Sequence, residues 1–201
     1  MLKAIIFDFG DIFINLDKSG AMNRALELFN IEGIDSDMIS INASYEKGEI
    51  TTEQFKEYYR KRFSLIDEAD LIDTWNCIIK DFPKYRLDFL RDLRQETDLS
   101  FMLLSNTNEL HIQYVKDRVP FFNEFKNHFN QFYLSHEIQR RKPESEIYNW
   151  VLEQNDLKAS ECLFIDDTTE NTEAAKSLGF QTWNLDPSCQ DIIELKERII
   201  F

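Results

Sequence analysis

Four short stretches of this 201-residue chain carry side chains that could do chemistry together. Asp8 closes the run Ala4-Ile5-Ile6-Phe7, Ser105-Asn106 closes Phe101-Met102-Leu103-Leu104, and Asp166-Asp167 closes Cys162-Leu163-Phe164-Ile165. The fourth, Arg140-Arg141-Lys142-Pro143-Glu144, is a dense basic run in a chain whose net charge is −14. Carboxylates, a hydroxyl, an amide and a lysine brought to one place would form an anion site holding a divalent metal. Mg²⁺ is the expected cofactor, because it prefers oxygen ligands and keeps waters and substrate phosphate oxygens in its shell.

These groups need a frame that brings them together. Unbroken apolar runs of strand length are what strands buried on both faces require. The expected strands are Ala4–Phe7, Phe101–Leu104, Gln131–Leu134, Cys162–Ile165 and Gln181–Asn184, with helical patterns between them. Strands separated by helices specify parallel βαβ units with right-handed crossovers, so the expected fold is α/β, a doubly wound parallel sheet. The carboxyl ends of its strands then share one rim, where open α/β sheets bind their ligands. Gly10 suits a backbone turn that a side chain would hinder. Pro143 suits the first turn of a helix over 143–154, which places Lys142 at that helix's positive end.

Between the first two strands the pattern is helical throughout. Helices are expected over Ser36–Glu46 and Glu68–Ile79, and Thr51-Thr52-Glu53-Gln54 is a capping box ahead of Phe55, Tyr58, Tyr59 and Phe63 at helical spacing. This insertion reads as a lid: an all-helical cap over residues 16–83, on a core of residues 1–15 and 84–201. Asp17, Asn23, Glu46 and Lys47 lie near its hinge or first loops and are candidates for meeting a leaving group.

The acidic balance disfavours nucleic acid and anionic membranes as partners, since both demand a basic surface. No segment approaches the roughly 18 apolar residues needed to span a bilayer. The amino terminus runs straight into a strand and does not read as a cleavable signal. Cys77, Cys162 and Cys189 are widely spaced and odd in number, which suggests neither a disulfide framework nor a zinc site and fits a cytoplasmic protein. Oligomeric state is not legible, because the cap's aromatic residues could pack internally or against another subunit.

In order and spacing, Phe7-Asp8-Phe9-Gly10, Leu104-Ser105-Asn106, Lys142-Pro143 and Phe164-Ile165-Asp166-Asp167 with Asn171 resemble the four motifs of the haloacid dehalogenase superfamily. The resemblance covers the whole chain. It implies a sheet ordered 5-4-1-2-3, with Asp8 on the middle strand, and makes the helical insertion the family's small cap. Among members, the chain is most similar to bacterial phosphatases with a Phe-Asp-x-Gly first motif, several of which act on sugar phosphates. The implied reaction is hydrolysis of a small phosphorylated metabolite, in which Asp8 attacks phosphorus and forms an aspartyl-phosphate. Mg²⁺ would be held by Asp8, Asp167 and the backbone carbonyl of Gly10, offsetting repulsion between nucleophile and phosphate. Lys142 would supply a second cation and keep Asp8 ionised. Ser105 and the amide of Asn106 would hold phosphate oxygens. Asp166 would orient the metal's ligands or Lys142 from behind, and Asn171 would support it or shape its loop.

One position departs from the pattern. Most phosphatases of this superfamily carry a second aspartate two residues after the nucleophile, which protonates the leaving alcohol and then activates water; here Gly10 stands there. General acid–base assistance contributes ~10²–10⁴-fold, so its loss slows the reaction without abolishing it. A better leaving group such as the anomeric oxygen of a hexose 1-phosphate, Asp11, or an acid from the cap are the ways to fill the gap. Two other readings stand beside this one. A 2-haloacid dehalogenase needs no metal, but the Asp166-Asp167 pair without a cation would then repel a carboxylate substrate. A catalytically silent binding protein would keep the anion pocket and act on a partner through the cap.

Overall fold

Ala4–Phe7 forms β1, and all four of its residues are buried. In the computed structural model, which describes residues 1–64 and 66–198, β1 is the centre of a five-stranded sheet. Residue 65 of the expected cap and residues 199–201 of the expected core lie outside the described residues. The other strands are β2 (Ser100–Ser105), β3 (Gln131–Leu134), β4 (Cys162–Asp166) and β5 (Gln181–Asn184). All pairings are parallel and the order is β3-β2-β1-β4-β5, the doubly wound arrangement expected. Phe7 pairs with Leu103 on one side and Ile165 on the other, so the polar residues that follow these strands meet at one rim.

The helices are α1 (Lys18–Phe29), α2 (Ser36–Glu46), α3 (Thr52–Arg62), α4 (Glu68–Asn76), α5 (Lys84–Glu96), α6 (Glu109–Arg118), α7 (Phe122–Asn127), α8 (Ser135–Ile138), α9 (Ser145–Asn155), α10 (Thr169–Ser177) and α11 (Leu195–Arg198). Alternation along the strands divides the core. Ile5, Phe7, Leu103 and Ile165 face the cluster built from α5, α6 and α7, while Ala4, Ile6, Met102 and Phe164 face α9 and α10. Phe9 and Phe13, from the loop after β1, are wedged into the first cluster. Phe9 stacks on Phe125 at 5.4 Å between ring centroids, and Phe13 meets the same ring edge-on at 4.9 Å. Burying side chains of this size stabilises by about 1.5–3 kcal/mol each, and here it fixes the loop that carries the first motif.

In the cap, α1–α4 pack around Phe29, Met38, Tyr45, Phe55, Tyr59 and Leu71. The capping box is present, with Thr51 N–H donating to Gln54 Oε1 and Gln54 N–H to Thr51 Oγ1. The helix expected to reach Ile79 stops at Asn76, because the chain beyond it must run back beside the passage that enters the cap. Asn15 N–H donates to Asp81 O, Lys80 N–H to Asn15 O and Asp17 N–H to Ile78 O, and Leu16 and Ile79 form an antiparallel bridge. Two short helices, α7 and α8, occupy stretches read as connections. The expected helix over 143–154 begins at Ser145, with Glu144 as its N-cap, so Pro143 precedes the helix and does not occupy its first turn. No helix among the described residues is long and apolar enough to cross a membrane.

The joint between cap and core is tight at Gly48, just after α2. Its φ is +66°, and a Cβ there would lie 2.1 Å from the carbonyl oxygen of His136 in α8. Gly48→Ala should therefore destabilise the protein by about 1–3 kcal/mol or more, through left-handed strain plus a backbone clash. Gly33→Ala, whose Cβ would meet nothing within 4 Å, should leave thermal unfolding nearly unchanged; comparing the two melting curves checks this.

Candidate active site

Lys142 lies at the middle of the site, 1 % exposed, and its Nζ donates to Asp8 Oδ1 at 2.7 Å and to Asp166 Oδ2 at 2.6 Å. Its backbone is clasped by the Asn106 side chain, which accepts from Lys142 N–H at 2.9 Å and donates to Lys142 O at 2.8 Å. Asp166 is fully engaged. Its Oδ1 accepts from Thr168 N–H at 2.8 Å and from Asn171 Nδ2 at 3.0 Å, while Oδ2 takes Lys142. Asp8 follows β1 directly, and its N–H donates to Ile165 O at 2.8 Å, so the backbone of the neighbouring strand fixes where its carboxylate begins.

The electrostatics are those of charges withdrawn from water. Burial pushes the Asp8 carboxyl up to about 7; Lys142 opposes the rise, and the charges of Asp166 and Asp167 add to it. Lys142 thus favours the ionised form of Asp8, while burial and the neighbouring carboxylates oppose it. Burial works to lower the Lys142 pKa, but Asp166 and Asp8 beside it outweigh burial and raise it. One oxygen each from Asp8, Asp166 and Asp167 lie within 4.8 Å of one another. Oxygen donors alone are the set that a hard divalent cation takes. With Asp166 occupied by its own hydrogen bonds, Asp8 and Asp167 are the members whose oxygens fit such an ion.

Residues 5–184 match the haloacid dehalogenase-like hydrolase family. The chain belongs to that family. A D-ribitol-5-phosphate phosphatase of Bacteroides thetaiotaomicron is 26 % identical over 194 residues, which cover 91 % of this chain and 91 % of that protein. A crystal structure of a family enzyme from the same organism, in complex with magnesium and inorganic phosphate, superposes with a TM-score of 0.83 at 31 % identity, covering 98 % of this chain and 100 % of that one. A protein of Porphyromonas gingivalis described as a predicted HAD-like family hydrolase shares the fold with a TM-score of 0.83 at 23 % identity, covering 98 % of this chain and 97 % of that one.

The family's first motif runs through a turn whose left-handed residue is Asp11, with φ +53°, and not Gly10. Asp11 Oδ1 accepts from Leu16 N–H at 2.9 Å and Oδ2 lies 2.9 Å from Lys18 Nζ. Its carboxylate thus secures the passage into the cap and a cap lysine, which leaves it badly placed to serve a leaving group. Gly10 lines the cavity above the rim, and a Cβ there would come within 2.8 Å of the flexible end of Leu16.

That cavity measures about 450 Å³ and is walled by Asp8, Gly10, Ser105, Asn106, Lys142, Asp167 and Asn171. Of the expected site residues Asp166 alone is not a wall; it stands behind Lys142. Glu46, a cap candidate from the sequence, is also on the wall, and the structure adds Lys18, His111 and Arg141. Lys18 Nζ reaches Asp167 Oδ2 at 2.5 Å, and Arg141 Nη2 pairs with Glu46 Oε2 at 2.9 Å. Burial raises the Glu46 carboxyl against the pull of Arg141. The Glu46 carbonyl, in turn, accepts from Ser135 Oγ at 2.6 Å, tying the end of α2 to the core. Burial lowers His111 to about 4, and its Nε2 lies 3.0 Å from Trp75 O, so it is neutral and donates there. Among the other cap candidates, Asp17 caps α1, Lys47 pairs with Glu144 at 2.7 Å, and Asn23 is exposed. Arg141 was visible in the basic run beside Lys142, whereas Lys18 and His111 carried no sequence signal.

Lys142→Met would leave Asp8 and Asp166 buried without a counter-charge, a change that costs about 3–5 kcal/mol. The penalty should depend on pH. With Lys142 in place the Asp8 carboxyl is raised to about 7, and removing the lysine raises it further. A carboxyl with a raised folded pKa loses stability as pH rises towards that pKa, so the additional loss falls above about pH 7. Urea unfolding of the variant in metal-free buffer should accordingly show a larger deficit against the natural sequence at pH 8 than at pH 5.

Proposed function

We propose that this chain is a Mg²⁺-dependent phosphatase acting on a small phosphate monoester through an aspartyl-phosphate on Asp8. The observation that carries the reading is the buried pairing of Asp8 with Lys142, with a carboxylate oxygen of Asp167 in the same cluster. Magnesium and inorganic phosphate in the related Bacteroides structure support it. The name of the D-ribitol-5-phosphate phosphatase supports a small alcohol as leaving group.

Lys142 holds the Asp8 carboxylate in a single orientation, the positioning on which an in-line displacement depends. As the Asp8 oxygen bonds to phosphorus, the bond from phosphorus to the alcohol oxygen breaks. Ser105 Oγ and the backbone N–H of Asn106 hold phosphate oxygens, and Lys142 offsets their charge. Asp8, Asp167 and the Gly10 carbonyl are the groups that would hold Mg²⁺, which supplies the positive charge that makes attack of an anion on an anion feasible.

Glu46 fills the role that Gly10 leaves empty. It is a cap carboxyl on the cavity wall with its proton affinity raised by burial, while Asp11 is engaged elsewhere. Its proton passes to the departing alkoxide. Water then attacks phosphorus and gives its proton to the Glu46 carboxylate, while the bond from phosphorus to the Asp8 oxygen breaks, releasing inorganic phosphate and restoring Asp8. The dehalogenase reading fits less well, because three carboxylates close together are compatible with a cation among them and not with a carboxylate substrate.

Hydrolysis of p-nitrophenyl phosphate should require Mg²⁺, stop with EDTA, and fall to background in Asp8→Asn. Glu46→Gln should lower kcat for alkyl phosphates by about 10²–10⁴-fold. It should change p-nitrophenyl phosphate turnover by less than about tenfold, because that leaving group departs without a proton. A uniform loss on both substrates would show that Glu46 only supports the fold.

A further inference from the structure

A second cavity of about 450 Å³ lies inside the cap and shares five wall residues with the catalytic cavity: Lys18, Glu46, Ile78, His111 and Arg141. The two adjoin along these residues, with the Glu46–Arg141 pair between them. Beyond that pair the walls change character. They are formed by Ala21, Ala25 and Phe29 of α1, Met38 of α2, and Leu71 and Trp75 of α4. Three polar side chains, Asn42, Tyr59 and Thr74, complete them, and the Tyr59 hydroxyl already donates to Asn42 Oδ1 at 2.8 Å. Apolar side chains outnumber polar ones on these walls, and the polar ones are few beyond the Glu46–Arg141 pair.

A recess of this size, open to solvent at one side, falls in the range of ligand sites. Its outer edge carries a second sign. Of the five large hydrophobic residues exposed among the described ones, Met22 and Ile39 are two, 47 % and 60 % exposed, and both belong to these walls. Cations and the nucleophile stand at one end, and apolar surface leads away from them to the outside.

We infer that the inner cap chamber receives the apolar body of the leaving alcohol, so that the substrate class is the phosphate monoester of an aliphatic or aromatic alcohol. This rests on the phosphatase reading for its orientation: phosphate over Asp8 and Lys142, ester oxygen at Glu46, carbon skeleton between α1, α2 and α4. It departs from the sugar phosphate expected from sequence and from the polyol phosphate of the Bacteroides relative's name, because a polyol carries a hydroxyl on nearly every carbon and would face more apolar than polar wall. An alkyl or aryl group is stabilised by the same walls.

The test is a chain-length series on the Mg²⁺-loaded natural protein. Affinity for n-alkylphosphonates from methyl to octyl, measured by calorimetry, should rise roughly three- to fourfold per methylene until the chamber is filled. The kcat/KM for n-alkyl phosphates should rise in parallel and exceed that for hexose phosphates. Ala25→Phe, which occupies the chamber, should abolish the gradient, so that octyl and ethyl compounds are handled alike. A flat or falling gradient in the natural protein, or hexose phosphates preferred over octyl phosphate, overturns the inference. A binding gradient without turnover of any phosphate ester would sustain the chamber and overturn the hydrolase reading instead.

Discussion

The structure depends on keeping two carboxylates and one ammonium together in an interior that would reject any of them alone. Asp8, Asp166 and Lys142 are drawn from three distant parts of the chain, and each is needed to make burial of the other two tolerable. That mutual requirement explains features that would otherwise be unrelated. Asn106 uses both ends of its side-chain amide on the Lys142 backbone, and Asn171 and the Thr168 N–H fill the remaining capacity of Asp166. The sheet supplies the geometry, because parallel strands end in register and put their first polar residues side by side.

The loop after β1 answers a different demand. It must hold Asp8 still while also turning the chain out into the cap. Phe9 and Phe13 do the first by burying their rings against Phe125, and Asp11 does the second by bonding to Leu16 N–H and reaching Lys18. An aspartate in this loop therefore secures the hinge, and the proposed acid is Glu46 on α2. The cap is more than a cover: its entry passage, its Lys18 and its Glu46 each touch the core at a group near the chemistry.

Charge and apolarity are segregated across the two adjoining cavities. Every cationic wall residue lies at the rim or between the two, where electrostatic interactions are strengthened by exclusion of water, and the chamber beyond is built from cap side chains that make no such demands. The proposed phosphate ester has the same division, with a doubly charged head and a carbon body.

Much of this was legible before any fold was known. The strands announce themselves because a sheet covered on both faces tolerates only apolar runs, and all five were placed correctly to within a residue or so of each end. The residues that follow them were legible because a polar group after such a run has few reasons to be there. Short helices such as α7 and α8 were not, since a single turn carries too little periodicity to be told from a loop. Nor could the sequence say that Pro143 would stop short of α9, or that Glu46 would line the cavity while Asp11 bonds to Leu16 and Lys18. Local order along the chain determined the sheet, the rim and the four polar stretches, because strand periodicity is a local property. Tertiary structure alone decided proton affinities, the partner of each charge and the shape of the cap chamber, because these depend on which side chains from remote segments exclude water from one another.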